Sequence, residues 1–217
     1  MKTFKLEATP REALGKKASK DLRKEGFIPA ILYGSQPVAL PYDEPLRPGE
    51  KMIETGDNRG IVVVDFAVTF DGIRKLIYTP EIFLVEIDIK GCRVVKAILK
   101  DIQFHPVSDD ILHVDFLEVF DKKPIEMEIP VFLTGHAAGV KSGGKLNQSM
   151  RKLKVRGLSE RIPEKLEVNV NHLELGKAIK VGDLSFDGIE LINPKNSVLC
   201  IVKMTRASQS AASAANS

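Results

Sequence analysis

Tryptophan is absent from the 217-residue chain, cysteine occurs twice, and aromatics make up 6% of the residues. A broad base-stacking platform of the single-strand-binding kind needs more rings than this. Cys92 and Cys200 are far apart and neither belongs to a CxxC pair, which excludes a zinc ribbon or a thioredoxin-type motif. A disulfide framework is implausible for the same reason, and reduced, buried thiols in a cytosolic protein are expected. No stretch approaches the ~18 apolar residues of a membrane span. The start, MKTFKLEATPREALGKK, lacks the apolar core of a secretory signal. Charge of one sign is also scarce, with a formal net charge of only +3. Any case for a polyanionic partner therefore rests on how the charge is distributed.

An apolar content of 43% and a charged fraction of 28% describe folded globular protein, and the length suits one large domain or two ordinary ones. Period-two alternation predicts strands at TFKLEA, FIPAILYG, IVVVDFAVTF and DDILHVDFLEV. It also predicts a hairpin over residues 81–104, joined at Lys90-Gly91. Residues 16–25 read as a short helix with Ala18 and Leu22 as its packing stripe and Gly26 as its left-handed stop. Pro29 places its strand at an edge or an irregularity. Residues 38–60 read as loop with weak structure, and a helical turn is expected near Ile73 to Leu76. DKKP, residues 121–124, is the best boundary, which divides the chain into 1–120, 121–205 and a low-complexity, disordered tail at 206–217. Beyond the boundary the pattern gives a glycine-rich loop between strands, then KLKVRGL, KLEVNV, a short turn and strand, and SVLCIVKM. Both halves read as mainly β with minor α.

Three segments carry candidate chemistry. On a helix, Lys16, Lys20, Arg23 and Lys24 share one face, and the acids Asp21 and Glu25 do not interleave there. That favours an anionic partner over a merely solvated face. GVKSGGKL, residues 139–146, matches the first seven positions of a phosphate-binding loop. Leu146 stands where a magnesium-ligating hydroxyl is required, so a flexible β-loop is the better reading. Lys141, Lys145, Arg151, Lys152, Lys154 and Arg156 follow with no acid among them, as a second anion-attracting patch. In QFHPVSDDILHVDF, His113 and Asp115 share a strand face with Ile111 and Leu117, while Leu112, Val114 and Phe116 face the core. A carboxylate two residues along a strand can orient an imidazole. His105, His113 and Asp115 follow no spacing rule for a metal, and no catalytic motif is recognisable.

Taken in order, R-x-x-x-GKKASKDLRKEGFIPAILYG, IQFHPVSDDILHVDFLEV, GHAAGVKSGGKLNQ and IPEKLEVNVNHLELGKAIKVGDL closely resemble one family. It is the bacterial large-subunit ribosomal protein family numbered twenty-five, in its longer, two-domain general-stress (CTC) form. The resemblance runs from about Lys5 to about Arg206 and fits poorly from Tyr42 to Asp71. It implies an N-terminal β-barrel with short helices that binds 5S ribosomal RNA, followed by a second, mainly β domain. Carried over by position, the RNA-contacting residues are Arg11, Lys16, Lys20, Arg23, Tyr33, Gly34, His113 and Asp115. Gln103 and His105 lie at or behind the same surface. Lys20 stands where the family often has arginine, which keeps the charge and loses the planar fork.

The expected function is structural and non-enzymatic, with no metal or cofactor. The expected partners are 5S rRNA, the large ribosomal subunit and neighbouring ribosomal proteins. The protein is expected to be cytoplasmic and ribosome-associated, without membrane contact, and monomeric off the ribosome. Two other readings are a free stress-response protein binding acidic partners and a nucleotide-dependent enzyme using the 139–145 loop.

Overall fold

The structure, a computed structural model, describes residues 2–34, 38–39, 50–56, 59–91 and 93–205. The chain divides after Lys123 into two compact units. Cys92 and the tail from residue 206 lie outside the described residues.

The first unit contains β1 (Lys2–Pro10), α1 (Lys16–Lys24), β2 (Phe27–Tyr33), β3 (Val38–Ala39), β4 (Glu50–Gly56) and β5 (Arg59–Thr69). After these come α2 (Phe70–Tyr78), β6 (Phe83–Ile89), β7 (Val94–Phe104) and β8 (Ile111–Glu118). The strands pair in the order β1-β6-β7-β8-β2-β5, and β5 returns to β1 through Thr9↔Ala67 and Pro10↔Phe66. That last pairing closes a six-stranded barrel and leaves these six strands no long open edge. Alternation sends Leu6, Ala8, Ala30, Leu32, Val64, Phe66, Val114 and Phe116 inward, where all are buried. The Phe66 and Phe116 rings meet at 5.9 Å between centroids. α2 is capped by Thr69, whose hydroxyl accepts the Gly72 N–H, and buries Ile73 and Leu76.

Three expectations are corrected here. Residues 50–56 form a strand, although EKMIETG has little alternation of its own; its register comes from the long β5, through pairs such as Glu50↔Val64 and Ile53↔Ile61. Residues 40–49 and 57–58 of the segment expected to be loop lie outside the described residues. Pro29 is not on an edge strand, since β2 lies between β5 and β8. The Gly26 carbonyl accepts from the Phe70 N–H just past β5 and the Gly34 N–H bonds to Val62 on β5, so the backbone polar groups of odd residues point towards β8. Pairing with β8 begins only at Ala30↔Val114, and the missing N–H of Pro29 interrupts no ladder there. The third correction concerns Ile111, which is buried in the core, while Leu112 is half-buried. The β7–β8 register shifts between Gln103 and Phe104, and strict alternation fails at that irregularity.

The second unit contains β9 (Ile125–Thr134), α3 (Ala138–Lys141), β10 (Lys145–Gln148), β11 (Lys152–Gly157), β12 (Leu166–Asn169), β13 (Ala178–Lys180), β14 (Ile189–Leu191) and β15 (Val198–Lys203). These strands form one sheet in the order β12-β9-β11-β14 and a second in the order β10-β15-β13. Cys200 is buried in a cluster with Ala137, Val170, Leu173 and Val202, and burial pushes its thiol above the ordinary cysteine range. It is core and not a nucleophile.

The glycine-rich loop is built from close backbone packing. Gly139 donates to the Leu173 carbonyl and Gly144 to the Gly139 carbonyl. A Cβ at Gly139 would sit 2.5 Å from the Leu175 backbone nitrogen, and one at Gly144 would meet the Leu175 and Val202 side chains at 2.6 and 2.5 Å. Gly139 is there for space between backbones, and Gly144 for space beside the Leu175 and Val202 side chains. Gly139→Ala should accordingly destabilise the unit by about 1–3 kcal/mol through overpacking. Denaturant unfolding measures this, and an unchanged midpoint would show that the loop is loosely packed.

Candidate nucleic-acid interface

The basic residues reach one place through the segment between β1 and α1. Arg11 extends β1, its N–H donating to the Asp65 carbonyl on β5 at 2.9 Å. Its guanidinium donates to the Ser19 hydroxyl on α1 at 3.1 Å and to the Ala13 carbonyl at 3.3 Å. At the other end of the helix, Arg23 donates to the Leu112 carbonyl on β8 at 3.1 Å. Two arginines thus tie α1 to the barrel wall. A nine-residue helix with no fully buried residue gains little stability alone, so these ties position it. Lys16 and Lys20 remain exposed, with no acid in the first turn. Gly26, at φ 84°, occupies the left-handed region that lets the chain leave α1 directly into β2.

Beside the helix, the outer surface of β8, β2 and β5 carries an unusual row. Ile31 is the register partner of both Asp115 on β8 and Asp65 on β5, so two carboxylates flank it at one level. Tyr33 lies next along β2. Burial first, and then the charges of Asp115 and Asp65, push its phenol above the ordinary tyrosine range. The hydroxyl therefore keeps its proton and remains a hydrogen-bond donor. His113 Nδ1 lies 2.6 Å from Asp115 Oδ1, and each side chain is about one-fifth exposed. Neither atom has a hydrogen-bond partner elsewhere among the described residues, so each depends on the other. This close polar contact holds the imidazole against the strand face.

Sequence reasoning missed Asp65 and Lys51, which pair at 3.1 Å. A signal was available, because Asp65 is the one charged residue within IVVVDFAVTF. Gln103 is the cross-strand partner of His113, which places it beside the row. His105 works differently: its Nδ1 accepts the N–H groups of Val107 and Ser108 and holds the turn after β7. Its proton consequently resides on Nε2. Gly34 has an internal role as well. Its N–H bonds to the Val62 carbonyl, and a Cβ there would approach that oxygen to 3.1 Å and Glu118 Oε2 to 3.7 Å. Glu118 is buried and pairs with Arg93 at 3.2 Å, while Arg93 also reaches Glu50 at 3.5 Å. Burial raises the Glu118 carboxyl, and the Arg93 cation opposes that rise.

The second basic patch divides. On β11, Lys154 faces Glu128 on β9 at 3.9 Å, and Arg156 bonds Glu126 through Nε at 2.9 Å and reaches Glu190 on β14 at 3.8 Å. These two cations are neutralised across the sheet, which corrects the reading of a continuous anion-attracting run. The acids are absent from residues 141–156 but arrive on neighbouring strands.

Family comparison bears on both units. The model of the ribosomal L25p family matches residues 6–47 and 55–116, which span most of the barrel. The chain belongs to this family. Residues 124–206 match the C-terminal domain of ribosomal protein TL5. Among similar proteins, one from Porphyromonas gingivalis, named large ribosomal subunit protein bL25, is 53% identical over 212 residues, covering 98% of each chain. Its namesake in Parabacteroides distasonis is 50% identical over 216 residues, covering 97% of this chain and 98% of its own. The Bacteroides thetaiotaomicron protein of the same name is 49% identical over 220 residues, covering 99% of each.

The Tyr33 environment gives a measurable sign. Folded protein holds the phenol proton more tightly than unfolded chain, so this group leaves stability unaffected below pH ~10 and lowers it as pH rises through the folded value. In a Tyr42→Phe/Tyr78→Phe background, ultraviolet titration should place Tyr33 above that value. Asp115→Asn should move it back down, because a neighbouring negative charge opposes phenolate. An unmoved titration would separate Asp115 from the phenol.

Proposed function

We propose that the chain is a structural, non-catalytic protein of the bacterial large ribosomal subunit, cytoplasmic and monomeric off the ribosome. On this reading its N-terminal barrel binds 5S rRNA. The proposed contact residues are Arg11, Lys16, Lys20, Arg23, Tyr33, Gly34, His113 and Asp115. One observation carries the reading: an exposed cationic helix held beside a row of half-buried polar groups, Tyr33, His113 and Asp115. Phosphates need only cations, but the shallow minor groove of duplex RNA presents 2′-hydroxyls and base edges. A carboxylate accepts from a 2′-hydroxyl and a protonated phenol donates to it, and neither does this through net positive charge. The relatives' shared name supports the subunit assignment.

On this reading the cations do different work. Arg11 and Arg23 are partly spent on Ser19, Ala13 and Leu112, whereas Lys16 and Lys20 are free to neutralise phosphate. Titrating full-length protein with 5S rRNA at several salt concentrations tests this. Lys16→Ala and Lys20→Ala should each reduce the log–log salt slope by about 0.7–0.9 without loss of stability. Arg23→Ala should also loosen α1. A slope identical to wild type in the lysine double variant would remove these side chains from the phosphate contact.

Asp115→Ala provides the complementary measurement. Simple electrostatics predicts tighter RNA binding when a negative charge is removed. Loss of affinity with the fold intact is expected instead, since the variant removes the acceptor and releases His113. Tighter binding would reduce the His113–Asp115 pair to a structural contact.

A further inference from the structure

Within the second unit, charge is arranged in two contrasting ways. In the sheet containing β9 and β11, Lys154 pairs with Glu128 and Arg156 with Glu126 and Glu190, while Lys152 at the start of β11 stays exposed. The other sheet does the opposite. Lys145 on β10 is the direct register partner of Lys203 on β15, and both are exposed. Direct antiparallel partners share a sheet face, and like charges in that position destabilise the pair.

The arrangement is held rather than avoided. Beyond the lysines the two segments stay tied by a side chain, because the Thr205 hydroxyl donates to the Gly143 carbonyl at 2.7 Å. In the other direction it runs through Leu146↔Val202, whose side chains pack inward on the Cys200 cluster. A one-residue slip would expose that apolar pair, so the lysines stay opposite one another. The next outward position is Asn147↔Ile201, joined by Ala178 on β13. Neither Lys145 nor Lys203 forms an ion pair among the described residues. Lys141, exposed at the end of α3, adds a third cation to the approach.

We propose that the Lys145–Lys203 edge of the second unit is a contact for RNA backbone phosphates, separate from the 5S rRNA face of the barrel. The inference rests on the ribosomal reading above and assigns the second unit a part in it. RNA fits better than a protein partner for a chemical reason. Protein interfaces are depleted in lysine and enriched in aromatic residues, and this face has two lysines and no ring. Ammonium groups on flexible stems suit phosphates, which are met at many orientations and without sequence preference. An anion there also removes the like-charge repulsion that the free protein carries.

The test uses full-length protein, 5S rRNA, and large subunits from cells lacking the protein. A Lys145→Ala/Lys203→Ala variant should unfold at a temperature no lower than wild type. Its affinity for the deficient subunits should fall on the order of tenfold at low salt, with a log–log slope smaller by about 1.4–1.8. Its affinity for isolated 5S rRNA should not change. Lys154→Ala/Arg156→Ala should leave subunit affinity as it was. If the variant misfolds, Lys145→Gln/Lys203→Gln takes its place. Subunit binding by the double variant equal to wild type overturns this proposal while the 5S rRNA reading stands. Failure of wild type itself to bind 5S rRNA or the subunits overturns that reading instead. A photo-crosslinker at position 203 should capture RNA; capture of a protein alone would overturn the phosphate assignment.

Discussion

Closure of the barrel by β1 and β5 is the constraint on which the rest of the first unit depends. Thr9↔Ala67 and Pro10↔Phe66 join the first strand to the fifth, and one residue later the Arg11 N–H bonds to the Asp65 carbonyl. The same few residues therefore seal the core over Phe66 and launch the segment that carries the cations. The guanidinium of Arg11 then holds Ser19 of the helix. Position in the fold and position of charge are set by one junction, so neither can move without the other.

From that junction the polar face follows by register. β2 runs parallel to β8 and antiparallel to β5, which sets Asp115 and Asp65 on either side of Ile31, with Tyr33 next along. The two parallel pairings, β1 with β6 and β2 with β8, bring together strands distant in sequence. Arg23 ends the helix on the Leu112 carbonyl, one residue before His113. The cationic helix and the polar row are thereby neighbours because an arginine side chain bonds a carbonyl in an irregular part of β8. The bulge that displaced Ile111 inward belongs to the same region, where a bend re-aims side chains.

Across both units, a cation's surroundings matter more than its presence. Arg156 and Lys154 stand in a sequence run without a single acid, yet both are paired. Arg93 stands alone in sequence and serves two carboxylates, Glu50 and Glu118, behind Gly34. Lys16, Lys20, Lys145 and Lys203 look no different on paper from Lys154, and they remain exposed without an ion pair among the described residues. Surface pairs are individually weak, but they cancel the local field that would attract a polyanion.

Much was legible in one dimension. The alternation of TFKLEA, of the 81–104 hairpin and of KLKVRGL determined the mainly β character, and the spacing around Gly26 determined the short helix and its stop. Local periodicity carries that information because burial repeats every two residues in a strand. The ordered set of motifs likewise identified the family before any contact was known. What only tertiary structure decided was everything that depends on which strand lies beside which. That includes the closure onto β5, the strand formed by EKMIETG, the tolerance of Pro29 inside the sheet, and the arrival of Asp65 beside Tyr33. It also includes the split of one basic run into neutralised and free halves. Pairing energies come from partners dozens of residues away, and a strand's own sequence records its faces but not its neighbours.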